Sequence, residues 1–130
     1  MRTPADLPRV LCDAFAVASE VSGDQAGAVW RLAESGRQLD ANLVRLPPGE
    51  QVALHVEPDL DVLLLVVTGT GVLASDEGER HVNAGALVWL PRGARRGVAA
   101  GADGLVYLTV HRRRPGMRIR STRPGSAGPA

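Results

Sequence analysis

Apolar positions along this chain fall into two regimes. Over residues 5–20, Leu7, Val10, Leu11, Phe15 and Val17 recur at roughly helical spacing, which predicts a short N-terminal helix. Ser22, Gly23 and Gly27 end that pattern. From Ala28 to His111 the chain becomes a series of short Val- and Leu-rich runs separated by Gly, Pro, Asp and Asn, at the spacing of an all-β sandwich or barrel. The runs predict strands over 28–33, 39–46, 51–57, 62–68, 71–75, 80–82, 86–90, 96–99 and 105–111. Pro47-Pro48-Gly49, Gly69-Thr70-Gly71, Asp76-Glu77-Gly78, Pro91-Arg92-Gly93 and the stretch 101–104 carry residues that fix φ or permit positive φ, and they predict the turns. The expected fold is a jelly-roll β-barrel with a short N-terminal helix. Its parts are a helix and connector over 1–27, the barrel over 28–111 and a tail over 112–130.

Three of these runs do not alternate. Val62-Leu63-Leu64-Leu65-Val66-Val67 is apolar throughout, and 86–90 and 105–110 are nearly so. An antiparallel strand with one face in water alternates, so the outer faces here are expected to be covered by the helix or by a second subunit. A homodimer follows as the expected assembly. On the last strand Val106, Leu108 and Val110 form the more natural inward set, which turns His111 outward; an inward Val82 turns His81 outward in the same way.

Composition narrows the setting. The 130 residues suit one domain with a single core. No apolar run reaches membrane-spanning length and no signal-peptide pattern opens the chain, so a cytoplasmic protein is expected. Cys12 is the only cysteine, which excludes an internal disulfide and a multi-cysteine zinc site and fits a reducing compartment. Its apolar neighbours Leu11, Ala14 and Phe15 point to a packing role. All fifteen basic residues are arginine, a bias of GC-rich bacterial genomes. The acids lie within residues 1–110, whereas 111–130 carries six arginines and no acid. That tail, rich in Pro, Gly and Ser, is expected to be partly mobile, solvated or packed on the acidic body. A nucleic-acid partner is not expected, because the tail offers no aromatic stacking platform.

From Leu43 to His111 the chain resembles the cupin superfamily. The first cupin motif runs Gly, five residues, His-x-His, three or four residues, Glu, then about six residues to a Gly. Here Gly49 is followed by His55-Val56-Glu57, and 61–71 resembles the apolar strand that ends in the family's Gly-x-Gly. The second motif runs Gly, five residues, Pro-x-Gly, two residues, His, and Gly85, Pro91, Gly93 and Arg96 occupy those positions. The resemblance implies a cupin barrel and, in its usual form, a metal held by imidazoles and a carboxylate. At the four ligand positions this chain has His55, Glu57, Val62 and Arg96. Val62 and Arg96 cannot ligate, and Asp61 points to the opposite face from Val62. No cofactor is therefore expected; the alternative is a divalent transition metal on a non-standard set around His55 and Glu57, with His81 or His111 recruited.

The function expected from these residues is small-molecule binding or an accessory role, with a pocket of His55, Glu57, Val62, Trp89, Arg96 and Tyr107 at the barrel mouth. The ligand is expected to be small and, given Arg96, anionic. Arg96 pairing with Glu57 or His55 as a plain ion pair stands beside that reading. The alternative function is a metal-dependent oxygenase or isomerase, or a metal-free acid/base catalyst, built on His55 and Glu57.

Overall fold

A computed structural model describes residues 7–114. Its elements are helix α1 (Ala14–Glu20) and strands β1 (Gly27–Arg31), β2 (Leu39–Leu46), β3 (Gln51–Val56), β4 (Val62–Ser75), β5 (Gly78–Asn83), β6 (Leu87–Leu90) and β7 (Arg95–Arg112). The strands pair in the order β1-β2-β7-β4-β5, with β3 added on β7 and β6 on β4, and every pairing is antiparallel. No helix among the described residues is long and apolar enough to cross a membrane.

The helix is shorter than its periodicity predicts. Residues 8–13 are not helical, and Pro8 restricts only Leu7 before it. Asp13 starts α1, its carboxylate accepting from the Ala16 amide at 3.1 Å. The buried face is Ala14, Val17 and Ala18 rather than the larger residues: Leu7, Val10, Leu11 and Phe15 stay exposed. Cys12 lies half-buried ahead of the helix.

Two predicted turns are bends inside long strands. Gly69-Thr70-Gly71 lies within β4 and the stretch 101–104 within β7, and the two strands run past each other with register shifts at Val66/Thr68 and Gly69/Gly71. The bend needs glycine for two reasons. Gly69 has φ +87, and a Cβ there would clash with the Gly104 carbonyl oxygen. Fusing the predicted strand pairs in this way lets β4 and β7 each line two sides of the molecule.

The main core fills the inner face with Val44, Leu46, Leu60, Val62, Leu64, Val66, Leu90, Val98, Leu105 and Tyr107. A second cluster joins Ala18 of α1 to Leu43, Val67 and Val106 on the outer face. This settles the parity of β7 and overturns the expected one: Leu105, Tyr107 and Thr109 are buried inward, while Val106 faces the helix. The run is apolar on both faces, so pattern alone cannot choose; α1 covering Val106 and Leu108 makes the choice. His111 therefore shares the inner face, with Val62 and Asp40 as its register partners. His81 is exposed beside an inward Val82, as expected.

Candidate functional site

The inner-face polar groups gather where β3 meets the start of β7. His55 and Arg96 are register partners there, so their side chains leave the same face. Arg96 is 1% exposed. Its Nη1 donates to the carbonyls of Pro91 (3.2 Å) and Ala94 (2.9 Å), which clamps the guanidinium against the turn that precedes it. Nε and Nη2 are buried and have no hydrogen-bond partner among the described residues. Burial pulls the Arg96 pKa down, and the negative charge of Glu57 works in the opposite sense.

Arg96 does not pair directly with Glu57. That carboxylate, its side chain 14% exposed, is bonded by Arg114 through Oε1, and Oε2 accepts from the Asp59 amide at 2.8 Å. Burial raises the Glu57 pKa; the Asp59 and Leu60 amides and the Arg114 guanidinium outweigh it and hold the carboxyl below its ordinary value. The loop that carries Glu57 is tied to the loop before Arg96: the Gly93 amide donates to the Glu57 carbonyl at 2.8 Å, and Arg92 donates to Asp61 from its amide (2.9 Å) and Nη1 (3.0 Å). Arg114 falls in the stretch that composition assigns to the tail. Its one signal was the contrast between an acidic body and an all-arginine end. Arg112 closes β7 and the Arg113 amide donates to the Gln38 carbonyl at 2.8 Å, so 112–114 belong to the folded unit; the expected mobility of 115–130 lies outside the described residues.

The remaining expected site residues divide. Val62 and Tyr107 line the inner core, and Tyr107, 0% exposed, has a buried hydroxyl with no hydrogen-bond partner among the described residues. Burial pushes its pKa up to about 12. Trp89 does not join them. Leu90 points inward beside it, so Trp89 stands on the outer face, 57% exposed, opposite Leu63. The two inner-face histidines each donate Nδ1–H to a carbonyl, His55 to Ala53 (2.9 Å) and His111 to Arg112 (2.8 Å), which leaves Nε2 of the neutral ring as the acceptor.

The cupin-domain family matches residues 42–111, more than half of the chain. The chain belongs to the cupin family. Among solved structures, this cupin is similar to an uncharacterized conserved protein with a double-stranded β-helix domain from Klebsiella pneumoniae, at 19% identity and TM-score 0.66, covering 86% of this chain and 89% of that one. A cupin-2 domain containing protein from Shewanella frigidimarina matches at 17% identity and TM-score 0.62, over 79% and 95% of the two chains. A protein described as a sugar phosphate isomerase of the cupin superfamily, from Silicibacter pomeroyi, matches at 28% identity and TM-score 0.57 over 65% of this cupin, which spans 58% of that protein's length. A comparison with curated proteins found no match.

Many cupins hold a metal, but the side chains of this one do not fit it. No three His, Cys, Asp or Glu residues converge among the described residues. Val62 has no donor atom, Glu57 is engaged by Arg114, and Arg96 brings a fixed positive charge where a fourth ligand would stand.

Proposed function

We propose that this cupin is a small-molecule-binding or accessory domain that takes its ligand inside the barrel, at a centre formed by His55, Glu57, Val62, Arg96 and Tyr107. One observation carries the reading: Arg96 is buried with Nε and Nη2 unpaired among the described residues, in an interior otherwise lined mostly by apolar side chains. A desolvated, unpaired cation is costly, and a ligand that satisfies it recovers that cost. Trp89 is left out of the pocket because it faces outward. A panel of sugars, sugar phosphates, amino acids and carboxylic acids, screened by thermal shift, tests the reading, since any ligand of the native state raises Tm by mass action. Failure of every class to stabilise the protein would reject it.

A second reading, a metal-dependent isomerase or oxygenase around His55 and Glu57, is favoured by the 28% identity to a protein described as a sugar phosphate isomerase. Elemental analysis separates the two. A stoichiometric transition metal that disappears in His55→Ala supports the second reading; its absence from protein purified without chelators supports the first.

The proposal includes a homodimer joined through the outer face, and a cytoplasmic location in keeping with the single free Cys12. The helix covers only part of that face, leaving Leu63, Leu87 and Trp89 uncovered next to one another through the pairs Leu63–Trp89 and Leu65–Leu87.

A further inference from the structure

We infer that the centre binds a small monocarboxylic acid with an apolar body, its carboxylate seated on the Nε–Nη2 edge of Arg96 and its body against the apolar inner face at Val62. This rests on the reading of the barrel interior as a ligand site and names the class of ligand.

The chemistry follows from which guanidinium atoms remain available. Nη1 is engaged by Pro91 and Ala94, which fixes the plane of the group. The unpaired Nε and Nη2 offer two parallel N–H bonds at a fixed spacing, the arrangement that a carboxylate accepts bidentately. Among the described residues no side chain supplies that carboxylate: Glu57, the acid whose charge acts on Arg96, has its own oxygens bonded by Arg114 and the Asp59 amide. The same Glu57 charge disfavours a second negative charge on the ligand, which selects a monoanion over a phosphate dianion. A polyol is disfavoured too. Among the described residues the buried inner-face side chains other than Arg96, Tyr107 and Thr109 are apolar, and of the half-buried polar ones Glu57 has both carboxylate oxygens bonded and His55 and His111 have Nδ1 bonded. Tyr107 Oη, the remaining buried side-chain atom without a partner among the described residues, supplies a further hydrogen-bond donor to the inner face.

Tyr107 also makes the test local, because it is the only tyrosine in the sequence. Incorporating 3-fluorotyrosine places one fluorine resonance inside the barrel, which binding to surface arginines does not move. Sodium hexanoate is expected to shift that resonance saturably and raise Tm. Acetate, with no apolar body, binds more weakly, and hexanamide, which keeps the body but loses the charge, gives no shift. Arg96→Gln abolishes the hexanoate response. Arg96→Lys keeps the charge but not the fork and weakens binding by about tenfold or more, which decides the matter if Arg96→Gln does not fold. Inorganic phosphate or glucose 6-phosphate shifting the resonance through Arg96, while hexanoate does not, overturns the carboxylate class and leaves the binding site standing. A hexanoate shift unchanged in Arg96→Lys overturns the bidentate seat. No shift with any probe overturns both the class and the site.

Discussion

Arg114 and Glu57 are bonded across 57 positions of sequence, joining the end of the described chain to the loop that carries the candidate site. The bond does two things. With the Asp59 amide it holds the Glu57 pKa down, and it occupies the carboxylate oxygen Oε1, so that Glu57 acts on Arg96 by its charge and not by a direct bond. The Glu57 pKa lies below its ordinary value of 4.5, so its contribution to stability is fully present above that value and is lost as pH falls through the lower, folded-state value. Stability of the wild type is therefore expected to fall with acidification in this window, and Glu57→Gln should flatten that part of the profile. Arg114 is more than a third exposed, so Arg114→Ala should cost no more than about 1 kcal/mol. Urea midpoints measured across acidic pH check both; a Glu57→Gln profile parallel to wild type would remove Glu57 from the account.

Tyr107 gives a second, alkaline handle. Its phenol is pushed up to about 12, so the neutral form stabilises the fold fully below the normal phenol value of 10.0, and that contribution is lost as pH rises from there through about 12. Tyrosinate absorbance reads this one residue directly. The native protein should titrate well above the same protein in denaturant. The hydroxyl is buried without a partner among the described residues, so Tyr107→Phe is expected to keep or raise stability by about 1 kcal/mol in the absence of ligand. A loss of more than that would mean the hydroxyl has a partner, such as an ordered water.

The outer face predicts the assembly. Leu87 and Trp89 are 67% and 57% exposed, yet they sit on a sheet whose neighbouring outer positions are apolar. Trp89→Asp is expected to leave thermal stability of the protomer near wild type while shifting sedimentation from dimer to monomer at micromolar concentration. A wild type that sediments as a monomer over that range rejects the proposed dimer.

Much of the fold was legible because β-barrel turns need glycine and proline at fixed places, and these survive where ligand side chains do not. β2 and the starts of β3 and β4 fall where the apolar runs place them. What pattern could not supply was the choice between two apolar faces. Val106, Leu108 and Val110 are as good a core as Leu105, Tyr107 and Thr109, so the pattern alone turns His111 outward, and only the helix on Val106 decides. Trp89 failed for the same reason, as a large apolar residue on a strand apolar on both sides. The site was half legible: motif spacing placed Arg96 beside His55, but the Glu57 partner lies 57 positions away at Arg114, a pairing that no local pattern encodes.

Arg96 provides the sharpest test of whether the centre is built for stability or for binding. If the guanidinium were structural, replacing it would remove a clamp on the turn before β7, because Nη1 bonds the carbonyls of Pro91 and Ala94. Those carbonyls belong to a turn whose Pro91, Arg92 and Gly93 are exposed, so water can replace much of that clamp. Against its loss stands the relief of burying a charge with Nε and Nη2 unpaired. Replacing buried ionic groups by apolar side chains of similar volume is often neutral or stabilising, by about 1–4 kcal/mol. Here the lost turn contacts and the lost attraction of Glu57 keep the expected gain of Arg96→Met near the lower end, about 1 kcal/mol or a few degrees in Tm. The same variant should lose all stabilisation by hexanoate. A ligand-free Arg96→Met that melts well below wild type would show that Arg96 holds the turn and would remove the energetic argument for a ligand, leaving the hexanoate titration of Arg96→Lys to decide binding.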